Sequence, residues 1–146
     1  MTPPYKIVHT LEPGHYADLA RLLTTAWWQR NRARPQIIEA VRNSGCVVAL
    51  LAPDTGKVLA FARALTDRVA KALVLDVIVD MPCQGAGLGT ALMDAILAHP
   101  AVRDVRDVEL YCLPEMRPFY ARWGFTESSD GVVLLRRPAG WPGVQD

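Results

Sequence analysis

The chain reads as an α/β domain built on a mixed sheet with helices on both faces, with about seven strands and four helices. Three observations predict this. Two amphipathic helical patterns lie near the start, ahead of several strand-like runs. Ala72 to Val79 is almost continuously apolar and rich in β-branched residues, as expected of a central strand covered on both faces. That run passes through a glycine-rich turn straight into a third helical pattern.

The elements follow in order. Tyr5 to Thr10 alternates as a short strand, and Pro13-Gly14 then opens a helix carried by Tyr16, Leu19, Leu22, Leu23 and Ala26 and ending near Trp27-Trp28. Arg30 to Arg34 is a basic connector. Pro35 suits the first turn of a second helix bearing Ile37, Ile38 and Val41, which Ser44-Gly45 ends. Cys46–Leu51 and Lys57–Thr66 are strands joined by the turn residues Pro53-Asp54-Thr55-Gly56, and so should pair antiparallel. Ala72–Val79 follows, with Asp76 as its one interior charge. Leu88 to about Ala98 is a helix closed by His99-Pro100, and Val108–Cys112 is a further strand. Pro118–Trp123 is a short helix stopped by Gly124, and Phe125–Ser128 and Val132–Arg136 flank Ser129-Asp130-Gly131 as a closing hairpin. Residues 1–137 are expected to form one domain and 138–146 a loosely held tail.

Composition narrows the partners. With 146 residues, 51% of them hydrophobic and 21% charged, the chain can bury a core unaided. Its 16 basic and 15 acidic residues nearly cancel to a net +1, which does not point to nucleic acid. The three cysteines, Cys46, Cys83 and Cys112, are odd in number and lie in or beside apolar runs, which fits reduced thiols. The first residues lack a basic start followed by an apolar h-region, and no apolar run reaches the 18 or so residues of a spanning helix. The expectation is a cytoplasmic protein with no membrane partner.

Gln84-Gly85-Ala86-Gly87-Leu88-Gly89-Thr90 leaves a strand and opens a helix, so backbone N–H groups and the helix dipole point at whatever sits there. That arrangement suits phosphate. A nucleotide P-loop would need Lys and then Ser or Thr after its last glycine, whereas Gly89 is followed by Thr90 and Ala91. A dinucleotide fingerprint would need glycine or alanine where Thr90 stands. The pattern that is filled is Q/R-x-x-G-x-G/A, by Gln84, Gly87 and Gly89. Further on, Pro118-Phe119-Tyr120-Ala121-Arg122-Trp123-Gly124-Phe125 carries a second signature.

Together these two segments resemble the coenzyme A loop and the P-x-F-Y-x-x-x-G-F segment of the GCN5-related N-acetyltransferases, the second in all but the spacing of its proline. The resemblance spans Tyr5 to Arg136. Its strong motifs occupy Leu73–Thr90 and Glu109–Phe125, and the N-terminal third matches by element order alone. It implies acetyl-CoA as co-substrate, no metal, and direct attack by a primary amine of a small molecule, an amino acid or a protein. In that family the first two helices and their connector shape the acceptor site, and dimers are common.

Direct attack sets three requirements. The amine must lose a proton, which at pH 7 costs about 4 kcal/mol for an alkylammonium of pKa roughly 10. The thioester oxygen needs a donor worth on the order of 3 kcal/mol, which the resemblance assigns to a backbone N–H near Val77, Ile78 or Val79. The departing thiolate is better expelled when protonated, and Tyr120 matches the family's general acid. The resemblance thus implies that the loop from Gln84 to Thr90 (Gln84, Gly85, Ala86, Gly87, Leu88, Gly89 and Thr90) holds the cofactor.

Other residues keep two readings. Asp76 is a base or a contact to the acceptor ammonium, or else the partner of an arginine such as Arg63. Glu109 holds a water chain to the amine or faces solvent. Trp27 or Trp28 fills core space or lines an acceptor pocket. Arg30, Arg32 and Arg34 attract an anionic group or form a solvated connector. A catalytically inactive CoA-binding module of the same fold, and a nucleotide-binding domain, are the competing functions.

Overall fold

The structure, a computed structural model, describes residues 4–29 and 32–143. They fall into two compact units that divide between Tyr111 and Cys112. The first holds a five-stranded sheet of order β1-β2-β3-β4-β5. Its elements are β1 (Lys6–Val8), α1 (Pro13–Thr24), a 3₁₀ turn (Trp27–Gln29), α2 (Arg34–Arg42), β2 (Cys46–Leu51), β3 (Val58–Thr66), β4 (Lys71–Val79), a 3₁₀ turn (Met81–Cys83), α3 (Leu88–Ala98) and β5 (Asp107–Leu110). The first four strands pair antiparallel, and β5 joins β4 in parallel.

Side-chain alternation decides what each face buries. Leu19, Leu22 and Leu23 of α1 and Ile37 and Val41 of α2 form one cluster with Ala49, Leu51, Val58 and Phe61 of the sheet. Leu88, Leu92, Met93 and Ile96 bury the other helix, α3, against β2, β3 and β4. Helices therefore cover both faces, as the periodicity requires.

β4 departs from expectation in a useful way. Ala72 and Val74 are buried, but Leu75 to Val79 are only half-buried, so the strand is not covered along its whole length. The cause is twofold. Pairing with β5 runs from Lys71 opposite Asp107 to Val74 opposite Leu110 and stops there. The register with β3 also slips, from Arg63 opposite Leu75 to Phe61 opposite Ile78, so that Asp76 and Val77 together face Ala62. That is a β-bulge, and its first residue, Asp76, takes the left-handed φ of +56°.

The second unit holds a 3₁₀ turn (Pro114–Met116) and α4 (Arg117–Ala121). Gly124, at φ +85°, follows α4 in the left-handed conformation expected of a helix stop. The closing hairpin expected from Phe125–Ser128 and Val132–Arg136 does not form, and among the described residues five strands stand where seven were expected. Asp130 explains the turn: its carboxylate accepts hydrogen bonds from the Ser128 hydroxyl and, at 3.0 Å, from the Val132 N–H. Local side-chain bonds of this kind take up donors a ladder would need. Val132 to Leu135 stay exposed. Residues 138–143 are exposed, with Arg137 stacked over the Trp141 ring at 5.0 Å, and 144–146 lie outside the described residues.

Candidate active site

The glycine turn begins where β4 ends. Asp80 is buried and fixes that point: its N–H donates to Leu59 O at 2.8 Å, while its carboxylate meets Lys57 at 3.3 Å and Arg21 at 3.7 Å. Arg21 also binds Asp18 at 2.7 Å, and Asp18 accepts the Val58 N–H at 2.7 Å. This network ties α1 and the start of β3 to the mouth of the loop. Sequence patterning had singled out none of these partners, because a buried acid shows its cations only once separate elements pack together.

From Gln84 to Gly87 the chain is exposed, and Gly85 and Gly87 both sit at φ +83°. A Cβ at either would meet nothing within 4 Å. The glycines are thus required by backbone conformation, and open space lies beside them. Gly87 is the N-cap of α3 and supplies no side-chain cap, and the first turn holds no acidic residue. The first helical bond runs from Ala91 N–H to Gly87 O at 3.1 Å, and the amides of Leu88 and Gly89 precede it at the helix start, where an α-helix offers no acceptor of its own. Leu88 is buried and anchors the turn, and Gly89 and Thr90 are half-buried on the first turn of α3. Ala86 is exposed between the two glycines. The Gln84 side chain folds back to donate to Val79 O at 3.3 Å and so braces the turn against β4.

These features fit a diphosphate. They offer an uncapped helix start, amides fanned by left-handed glycines, and no neighbouring carboxylate on the first turn to repel an anion. Beside the loop, Val77, Ile78 and Val79 lie past the bulge, where β4 has parted from β5. Ile78 packs against the α1/α2 cluster.

Asp76 has an observed partner of the kind set against its catalytic reading. Its Oδ2 accepts from Arg63 Nε at 2.6 Å, with both side chains almost wholly buried, and its Oδ1 accepts from Trp28 Nε1 at 2.8 Å. Arg63 reaches on to Ser44 Oγ at 3.3 Å. Glu109 is exposed on β5 and paired with Lys71 at 2.5 Å, a contact that raises the Lys71 pKa. Arg32 and Arg34 are exposed, and Arg30 lies outside the described residues.

In the second unit Tyr120 is buried on α4, its ring edge-to-face with Phe119 at 5.0 Å and Phe125 at 6.5 Å. Burial, with a smaller contribution from Cys112, pushes its phenol up to about 12. All three cysteines are free: Cys46 buried, Cys83 half-buried and Cys112 exposed.

Comparison with known proteins shows the family. Residues 11–125 match the model of the acetyltransferase (GNAT) family, and the chain belongs to that family. It is 40% identical over 79 residues to serotonin N-acetyltransferase 2, chloroplastic, of Oryza sativa subsp. japonica, covering 54% of this chain and 40% of that one. It is 31% identical over 112 residues to GCN5-related N-acetyltransferase 1, chloroplastic, of Arabidopsis thaliana, covering 75% and 56%. The chain thus spans about half the length of these relatives or less. A crystal structure assigned to the GNAT family, from Xanthomonas campestris pv. campestris, superposes with a TM-score of 0.78 at 25% identity, covering 94% of this chain and 95% of that one. Among the described residues, no helix is long and apolar enough to cross a membrane.

Proposed function

We propose that the protein transfers the acetyl group of acetyl-CoA to a primary amine, of a small molecule, an amino acid or a protein, by direct attack. The observation that carries this reading is the junction at the end of β4. An unpaired strand edge past the bulge runs directly into an uncapped, left-handed glycine turn, so donors for a carbonyl oxygen and for a diphosphate lie along one stretch of backbone.

In this reading the amides from Gly85 to Thr90 grip the diphosphate, with Gln84 bracing the turn. An N–H among Val77, Ile78 and Val79 donates to the thioester oxygen, a contribution on the order of 3 kcal/mol to the barrier. Asp76 is a positioning residue, because Arg63 and Trp28 already engage its two oxygens. Glu109 then accepts the amine's proton through water.

Tyr120 donates to the departing sulfur. Its phenol, at about 12, keeps its proton throughout the working range. Full transfer to a thiolate of pKa about 8.5 would cost about 5 kcal/mol, so the role is a hydrogen bond that strengthens as negative charge grows on sulfur.

Three measurements test this. Acetyl-CoA at a hundredfold excess over its Kd should stabilise the fold by about 2.7 kcal/mol and raise Tm by roughly 5–10 °C, while ATP and NAD do not. Tyr120→Phe should lower kcat by about a hundredfold with CoA affinity unchanged. For the wild type, kcat/KM should climb with pH towards the amine's pKa of roughly 10. A phenol at about 12 predicts no descending limb from Tyr120 below pH 10. Absence of stabilisation by either acetyl-CoA or CoA would refute the reading.

A further inference from the structure

Trp28 stands out as a large apolar side chain that is pinned yet not buried. It is 38% exposed, and its neighbour Trp27, edge-to-face at 5.7 Å, is 55% exposed. Exposed indoles at a chain connection are ordinarily free to move. Here a buried relay prevents it. Ser44, just past the end of α2, contacts Arg63 on β3, Arg63 holds Asp76 at the β4 bulge, and Asp76 holds the Trp28 N–H. The Asp76 backbone is left-handed, a conformation most non-glycine residues avoid and that the bulge nonetheless preserves. The indole is therefore fixed beside the residues at which β4 parts from β5.

The surrounding sheet surface is apolar. Register sets Leu75 opposite Arg63 and Leu73 opposite Leu65, so these leucines share the sheet face of Arg63. Leu65 is 42% exposed, and Leu73 and Leu75 are half-buried. Two nearby charge pairs are Arg63–Asp76 and Lys71–Glu109, and the connector a few residues after Trp28 adds the exposed Arg32 and Arg34, a positive field that repels a polycation. A rigid aromatic face has already lost its side-chain entropy, so it binds an apolar body at little further cost.

We infer that Trp28 is a specificity-determining residue for the acceptor, positioned by Arg63 and Asp76, and that the acceptor is a primary amine carried on an aromatic or aliphatic body. This rests on the transferase reading above. The test is steady-state kinetics of the full chain with acetyl-CoA and three amines: 2-phenylethylamine, n-hexylamine and spermidine. Wild type should favour the first two over spermidine by about tenfold or more in kcat/KM. Trp28→Ala should raise KM for phenylethylamine by about tenfold, leaving kcat and the KM for acetyl-CoA within about twofold. Trp28→Phe, which keeps a ring but cannot donate to Asp76, should recover part of that loss. It carries the test by itself, as a roughly threefold rise in KM, if the alanine variant does not fold.

Preference for spermidine, an equal effect of Trp28→Ala on every amine, or no turnover of phenylethylamine and hexylamine while acetyl-CoA still stabilises the protein would each overturn the inference. Failure of acetyl-CoA to stabilise the wild type would overturn the transferase reading instead, and the inference with it.

Discussion

Gly87 and Asp76 both lie at positive φ, for opposite reasons. At Gly87, with φ +83° and open space around a notional Cβ, alanine would meet no steric obstacle and would strain only the backbone. Gly87→Ala should therefore cost about 1 kcal/mol of stability, read by urea unfolding. It should weaken acetyl-CoA binding by more than that, because the first-turn amides would be re-aimed; a calorimetric titration separates the two effects. At Asp76 the residue type is required instead, since its carboxylate has to serve Arg63 and Trp28 together. The glycine requirement was legible in the sequence from the turn's composition. The Asp76 partnership was legible only as a choice between a catalytic role and a pair with an arginine such as Arg63; the structure shows the Arg63 pair and adds Trp28, which the sequence did not indicate.

Among the elements, the β3–β4 connection shows how one side chain shapes a turn. Asp67 Oδ1 accepts N–H bonds from Val69 at 2.9 Å, Ala70 at 2.7 Å and Lys71 at 3.1 Å. Those bonds, led by the one from Lys71, hold its pKa below the ordinary 3.8. A depressed carboxylate stabilises the fold above its unfolded pKa, and that contribution disappears as pH falls through the folded value. Asp67→Ala should thus lower Tm at pH 7, and the gap to wild type should close as the pH is taken below 3.8, followed by circular dichroism. The Asp130 turn uses the same device with another outcome. The Val132–Arg136 run has the apolar, β-branched character of a strand and still carries no ladder. Strand propensity is a preference for a half-buried pleated surface, and it is realised only where a partner edge exists.

For the whole molecule, stability rests on the cluster that joins α1 and α2 to the sheet. Phe61 lies within it, fully buried on β3 opposite Ala49 and Ile78. Phe61→Ala should cost about 3–5 kcal/mol in a denaturant titration, the upper figure applying if the helices cannot close the cavity. Because Ile78 packs on the same cluster beside the bulge, the loss should also reach the candidate site, seen as weakened acetyl-CoA stabilisation in the surviving folded protein.

The sequence by itself determined the strands from Cys46 to Val79, the three longer helices and the placement of the glycine turn between β4 and α3. Each of these follows from local periodicity, turn chemistry or the conformational freedom of glycine, which act within a few residues. Tertiary structure decided the bulge at Asp76, the parting of β4 from β5 and the Arg63–Asp76–Trp28 relay. Those depend on which edges and side chains from distant segments come to lie together, and no local pattern encodes that.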